Sequence, residues 1–201
     1  MGRMKGVRLT TERLIVRDLP PRAAQQVARF HHENWHYHRQ WEPFRGSEYF
    51  TAPVQRRVLR YEARSDSKLH LWLLLRDGRR RRWRDLPIVG SLALSSIERG
   101  SVQSCLLGYK IDARYARRGY MHEALVAVIT HAFTTMGLHR IEATVMPRNR
   151  PSRALLERLG FREEGCAREL ILIQGVWEDH LRNALLSGEW TEGPDKSGPR
   201  S

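Results

Sequence analysis

The chain has 201 residues, of which 41% are hydrophobic and 28% charged. That suffices for one domain with a sizeable buried core, and no apolar stretch is long enough to span a membrane. The net charge of +13 is the outlier, and only four of the 35 basic residues are lysines (Lys5, Lys68, Lys110, Lys196). Arginine forks suit phosphate oxygens, so the balance fits an anionic partner (a nucleotide cofactor, RNA or a ribosome), or simply a solvated surface. Met1-Gly2-Arg3-Met4-Lys5-Gly6 lacks the apolar segment of a secretory leader, so a cytoplasmic location is expected. Cys105 and Cys166 show no metal-ligand spacing and read as small buried side chains in a reducing compartment.

Val7 to Asp18 reads as a first strand, ended by Pro20-Pro21. Arg22 to Asn34 reads as a helix. Trp35 to Phe50 is rich in aromatic and His residues without clear periodicity, a loop or broken helix suited to line a cleft. Pro53 fits the first turn of another helix. Leu69–Leu75 is a strand, Asp77-Gly78 a turn, and Ile88–Ile97 the returning strand. Between them lies Arg79-Arg80-Arg81-Arg82-Trp83-Arg84, either a solvated hairpin loop or an RNA contact with Trp83 as stacking platform.

Val102 to Ile111 is the next strand. A helix from about Gly119 to Met136 follows, with Met121, Ala124, Leu125, Val128, Ile129 and Ala132 as its buried stripe. Arg140–Val145 alternates as a strand. Asn149 can cap a short helix that Gly160 ends. Leu170–Ile173 and Trp177–Leu185 read as strands joined at Gln174-Gly175. From Gly188 the Gly, Pro and charge-rich composition reads as a disordered tail, which leaves a domain over 7–187. The whole is a mixed αβ sheet with helices on both faces.

The chemistry concentrates where Leu107-Gly108-Tyr109-Lys110-Ile111 runs into Arg114-Tyr115-Ala116-Arg117-Arg118-Gly119-Tyr120-Met121. A strand that turns there into a helix offers unpaired amides, a helix dipole and arginines to a phosphate or pyrophosphate. The chain has no G-x-x-x-x-G-K-[ST] loop, no strand-linked G-x-G-x-x-G, no G-x-S-x-G elbow and no H-E-x-x-H pair. His31, His32, His36 and His38 lack the carboxylate or cysteine spacing of a metal site and read as surface or cleft residues.

The ordered set Leu107-Gly108-Tyr109, Gly119-Tyr120-Met121-His122-Glu123-Ala124-Leu125, His139-Arg140-Ile141, Asn149-Arg150-Pro151-Ser152, Leu159-Gly160-Phe161 and Glu163-Glu164-Gly165 resembles the GNAT N-acetyltransferases. Within them it is similar to the RimJ/RimL ribosomal-protein-alanine N-acetyltransferase group, as are the opening Leu9-Thr10-Thr11-Glu12-Arg13-Leu14 and the closing Asp179-His180. The resemblance implies a central, mostly antiparallel twisted sheet with a splayed strand pair, and acetyl-CoA as the phosphorylated ligand, with no metal. The family turn is Q/R-x-x-G-x-G/A; here it reads Ala116-Arg117-Arg118-Gly119-Tyr120-Met121, and Gly119 stands.

By the same resemblance, the backbone of Tyr109, Lys110 and Ile111 pairs with the pantetheine arm. An N–H near Ile111 polarises the thioester carbonyl. Arg117, Arg118, Gly119, Tyr120, Met121 and His122 hold the pyrophosphate, and Asn149, Ser152, Leu155 and Arg158 face the cofactor. Ser152 takes the place that helps hold a catalytic water in RimL-type relatives. Their partner glutamate aligns with Ile171, so Glu169, on the same face by the two-residue period, is the expected substitute. Glu123 and Glu142 are weaker candidates. The tyrosine that many members use as acid aligns with Leu156.

The implied reaction is acetyl transfer to a protein's N-terminal α-amine, that of an alanine-initiated ribosomal protein. The alternatives are a small-amine acetyltransferase and a non-catalytic ribosome- or RNA-binding assembly factor. A monomer and a homodimer are both compatible with the sequence.

Overall fold

A computed structural model describes residues 6–76 and 82–191. Eight strands form one sheet: β1 (Arg8–Thr10), β2 (Leu14–Arg17), β3 (Leu69–Leu75), β4 (Ile88–Glu98), β5 (Ser104–Ile111), β6 (Arg140–Val145), β7 (Arg162–Ile173) and β8 (Val176–Leu186). Their spatial order is β1-β2-β3-β4-β5-β6-β8-β7. Every neighbouring pair is antiparallel except β5 and β6. Four helices cover the faces: α1 (Ala24–His38), α2 (Ala52–Glu62), α3 (Tyr120–Thr134) and α4 (Arg150–Arg158).

β3 shows how the sheet divides the core. Its side chains alternate between faces with period two. Leu71 and Leu73 join the stripe of α3 (Ala124, Leu125, Val128) and Leu156 of α4. Trp72 and Leu74 pack with Val27 and Phe30 of α1 and Leu59 of α2. A strand buried on both faces reads as a near-continuous apolar run, as Leu-His-Leu-Trp-Leu-Leu-Leu does here.

The functional feature of the sheet is the β5–β6 junction. The two strands pair only over Ser104–Leu106 against Arg140–Glu142. Beyond that, Leu107–Ile111 pairs only with β4, and Ala143–Val145 only with β8. A gap opens between parallel strands on their carboxyl side. Gly90 of β4 lets the far end of β5 approach closely, since a Cβ there would lie 2.7 Å from the Lys110 carbonyl oxygen.

Several expectations are corrected. The first strand is a hairpin, because Thr11 bends the chain with its amide 3.0 Å from the Leu14 carbonyl. The Trp35–Phe50 segment divides: α1 runs on to His38, and 3₁₀ turns occupy Arg39–Trp41 and Ser47–Phe50. His31 and His38 are buried, on one face of α1. Cys105 is buried and its thiol pushed up to about 12 by that burial, whereas Cys166 is exposed on the outermost strand.

The last strand pair begins at Arg162, not Leu170, with two irregularities in register that interrupt its alternation. The domain does not stop at 187. Trp190 is 4% exposed within the main core, and its indole N–H donates to Thr130 Oγ1 at 3.0 Å. The rest of the expected tail lies outside the described residues, as do Arg79–Arg81.

Candidate active site

The turn into α3 is built by local backbone chemistry. Asp112 follows β5, and its carboxylate accepts the Arg114 amide at 2.8 Å, starting a 3₁₀ turn over Ala113–Tyr115. Arg117 at φ +60° and Gly119 at φ +80° then adopt left-handed conformations, which glycine tolerates at little cost. Gly119 is the N-cap of α3. The helical ladder begins with the Glu123 amide on the Gly119 carbonyl at 3.0 Å. The Tyr120 and Met121 amides precede it and point out of the helix end. Arg117 and Arg118 are exposed beside them. Met121 buries its side chain in the main core, so it offers this mouth only its amide. His122 occupies the next position of the first helical turn. Outward amides, the dipole's positive end and two arginines fit a pyrophosphate.

A second support was invisible in the sequence. Glu123 Oε1 accepts from the Thr11 hydroxyl at 2.5 Å and the Arg13 amide at 2.8 Å, and Oε2 from Arg13 Nε at 2.6 Å. Burial pushes the Glu123 carboxyl up, but the hydrogen bonds from Thr11 and Arg13 outweigh it and hold its pKa below the usual value. The Arg13 guanidinium also donates to the Arg118 carbonyl at 3.0 Å and lies 4.4 Å from the Tyr120 ring centroid. Glu123 thus ties the β1–β2 hairpin to the turn. Glu142 is held likewise, by Arg140 at 2.8 Å and Arg182 at 3.5 Å.

Along the gap, the Asp112 amide donates to the Val89 carbonyl at 2.8 Å. Antiparallel alternation then directs the main-chain groups of Lys110 and Gly108 to β4 and those of Tyr109 and Ile111 to the gap. Lys110 is therefore corrected: its backbone belongs to the β4 ladder. Its ammonium donates to Glu42 Oε1 at 2.6 Å. The Ile111 carbonyl lies 2.7 Å from His38 Nε2. A carbonyl only accepts, so Nε2 carries the proton. Burial lowers the His38 pKa, which keeps the ring neutral.

The Tyr109 side chain faces α4. Its hydroxyl is 2.8 Å from Ser152 Oγ, and burial pushes the phenol up to about 12. Asn149 caps α4, its side-chain oxygen accepting the Ser152 amide at 3.3 Å. Leu155 packs at the edge of the main core. Arg158 is exposed in the last turn, and Leu156 is buried. Tyr109 was named in sequence for its backbone; its hydroxyl is the group that meets Ser152, across 43 residues.

Glu169 is not brought to this pair. β7 carries a bulge between Ala167 and Ile171, and Glu169 sits in it at φ +49°. The two-residue period that placed it on the face of Ile171 is broken there. Its side chain is exposed, and its amide donates to Asp179 Oδ1 at 2.8 Å.

The β7–β8 hairpin closes over the outer end of the gap. Gln174, at its tip, donates to the Glu42 carbonyl at 3.0 Å. Arg148, after β6, pairs with Glu178 of β8 at 2.6 Å and donates to the Gln40 carbonyl at 3.3 Å. Among the described residues, no three His, Cys, Asp or Glu side chains converge as a metal site would require. No described helix is long and apolar enough to cross a membrane.

Residues 13–162 match the family model described as the acetyltransferase (GNAT) domain. The chain is 37% identical over 190 residues to the [ribosomal protein uS5]-alanine N-acetyltransferase of Escherichia coli, covering 93% of this chain and 94% of that protein. Among solved structures, Mycobacterium smegmatis RimJ in complex with CoA-disulfide superposes with a TM-score of 0.79 at 31% identity, over 88% of this chain and 83% of that one. The ribosomal-protein-S5-alanine acetyltransferase of Vibrio fischeri gives 0.82 at 28% identity, over 92% and 100%. The chain belongs to the GNAT acetyltransferase family and is an acetyl-CoA-dependent N-acetyltransferase.

Proposed function

We propose that the chain acetylates the N-terminal α-amine of a protein, an alanine-initiated ribosomal protein, by direct attack on the thioester. The acceptor reading is supported by the likeness to the E. coli enzyme, which runs nearly end to end in both chains. A cytoplasmic site of action follows from that acceptor.

Acetyl-CoA supplies an activated acyl carbon. The chain's own groups do the rest. The outward amides of Tyr120 and Met121, with Arg117 and Arg118, hold the diphosphate at the head of α3. The gap-facing backbone of Tyr109 and Ile111 aligns the pantetheine arm, and the Ile111 N–H is the donor for charge developing on the carbonyl oxygen. Ser152 hands a proton to the departing sulfur and is resupplied by the Tyr109 hydroxyl, which regains its proton from the water that takes up the proton lost by the attacking amine.

The observation that carries this reading is the Tyr109–Ser152 contact of 2.8 Å on the gap side of β5. Glu42 and Glu178 at the gap are paired with Lys110 and Arg148, which leaves the Tyr109 and Ser152 hydroxyls and the neutral His38 ring. That set suits an α-amine, with a pKa of about 8, better than a lysine at about 10.4. A fraction of the α-amine is already neutral, and an ordered water suffices as base. The test is thiol release from acetyl-CoA with an Ala-initiated ribosomal peptide. Turnover on that peptide, and none on the same peptide with a blocked N-terminus and a free lysine, is expected. The reverse preference contradicts it.

A further inference from the structure

A groove of about 540 Å³ lies between α1 and residues 83–88. It is lined by Arg22, Arg29, Trp83, Arg84 and Arg114, among others. Three guanidinium groups converge on one indole: Arg17 and Arg22 at 5.5 Å from the Trp83 ring centroid and Arg84 at 5.9 Å. Of the carboxylates that line the groove, Glu33 and Asp112 are paired with Arg114 at 3.1 and 2.7 Å, which leaves Asp85, next to Arg84 in the chain, as the lining carboxylate without an ion pair among the described residues. Among the described residues, no carboxylate lies within ion-pair distance of Arg22, Arg29 or Arg84. Trp83 is half-buried, one part packed on the α1-side core and the rest lining the groove.

We infer that this groove is a second binding site, taking the phosphodiester backbone of single-stranded RNA. Arg22, Arg29 and Arg84, none of them in an ion pair among the described residues, outnumber the unpaired Asp85, and an anion placed among them relieves their mutual repulsion. Guanidinium forks match phosphate oxygens. The indole adds what an acidic peptide could not use, a surface for base stacking. The excess of positive charge over the chain attracts a polyanion from a distance.

The groove is distinct from the cofactor mouth: its unpaired arginines come from the turn before α1 (Arg22), from α1 (Arg29) and from the approach to β4 (Arg84), and Arg114, from the turn that leads to the mouth, is held by Glu33 and Asp112, whereas the mouth is formed by 117–122. The two touch the same strand end. Asn34 Oδ1 on α1 accepts the Ala113 amide at 3.0 Å, and its amide group donates to Asp112 at 3.2 Å. RNA in the groove would lie on the α1 side of the β5 terminus. The inference does not depend on the identity of the acetyl acceptor.

Fluorescence anisotropy with a labelled oligouridylate of about 12 nucleotides tests it. The whole chain should bind with a log K against log salt slope of about −2, as three phosphate contacts to a single strand require. Arg22→Gln/Arg29→Gln/Arg84→Gln should weaken binding by roughly tenfold or more and flatten the slope. Arg29→Glu alone, an exposed change without a contact to lose, should weaken it in the same direction. Peptide acetylation and the KM for acetyl-CoA should stay at the wild-type values in both. The inference is overturned by absent RNA binding, by binding that both variants retain, by polyglutamate competing as well as RNA, or by a raised KM for acetyl-CoA, which would assign the arginines to the cofactor.

Discussion

The Tyr109 hydroxyl lies 2.8 Å from Ser152 Oγ, joining the splayed strand to the helix beyond the gap. In the proposed reaction these hydroxyls form a two-step proton path to the departing sulfur. Ser152→Ala should lower kcat by about 100-fold, within the usual range for general acid catalysis. Tyr109→Phe should lower it by roughly tenfold with little change in KM for acetyl-CoA. Steady-state assays of both variants check this. Equal losses in kcat and binding would instead make the pair a packing contact.

The pH profile follows from the same pair. Burial raises the Tyr109 phenol to about 12, so its protonated form persists through the working range and is lost only as pH rises through that value. The attacking amine must be neutral, and it becomes so above about pH 8. The wild-type kcat/KM should therefore climb across pH 7–9 and stay flat to about pH 10. A descending limb near neutrality would contradict the assignment.

Gly119→Val should cripple cofactor binding. Gly119 sits at φ +80°, and a Cβ would meet Arg13 Nη2 at 3.3 Å. A β-branched residue at positive φ is a genuine outlier, so the turn must reshape and re-aim its amides. A tenfold or greater rise in the dissociation constant for CoA is expected by calorimetry.

Glu123→Gln keeps the shape of the tie between hairpin and turn but removes its charge. Hydrogen bonds to charged groups contribute about 1–3 kcal/mol, so urea unfolding should show a loss in that range. The Glu123 pKa is depressed in the fold. Its contribution is fully present above the unfolded carboxyl value of about 4.3 and fades as pH falls through the folded value. The stability gap between wild type and variant should close in acid.

Trp190→Ala tests the corrected domain boundary. The indole fills the core against α3 and satisfies Thr130, so its removal should cost about 3–5 kcal/mol. A loss under about 0.5 kcal/mol, the surface range, would return this segment to the tail.

Elements with strong periodicity were legible in the sequence: the stripe of α3, the apolar run of β3, and α4 between Asn149 and Gly160. The cofactor turn was legible because its chemistry is local, a strand, a glycine and a helix start in succession. Contacts between distant segments were not. Nothing at Thr11 or Arg13 announces a partner at Glu123, 110 residues on from Arg13. Nothing at Tyr109 announces Ser152. The face assigned to Glu169 was not legible, because strand alternation is broken by a bulge that only pairing with β8 reveals. Trp190 was missed because Gly, Pro and charge dominate its surroundings while its own side chain reaches the core.

The most direct measurement is a crystal structure of the chain soaked with acetyl-CoA. The diphosphate should sit on the amides of Gly119, Tyr120 and Met121, with the pantetheine arm in the gap between β5 and β6 and its sulfur beside Ser152. A ligand bound elsewhere, or an empty α3 terminus at saturating concentration, would contradict the account.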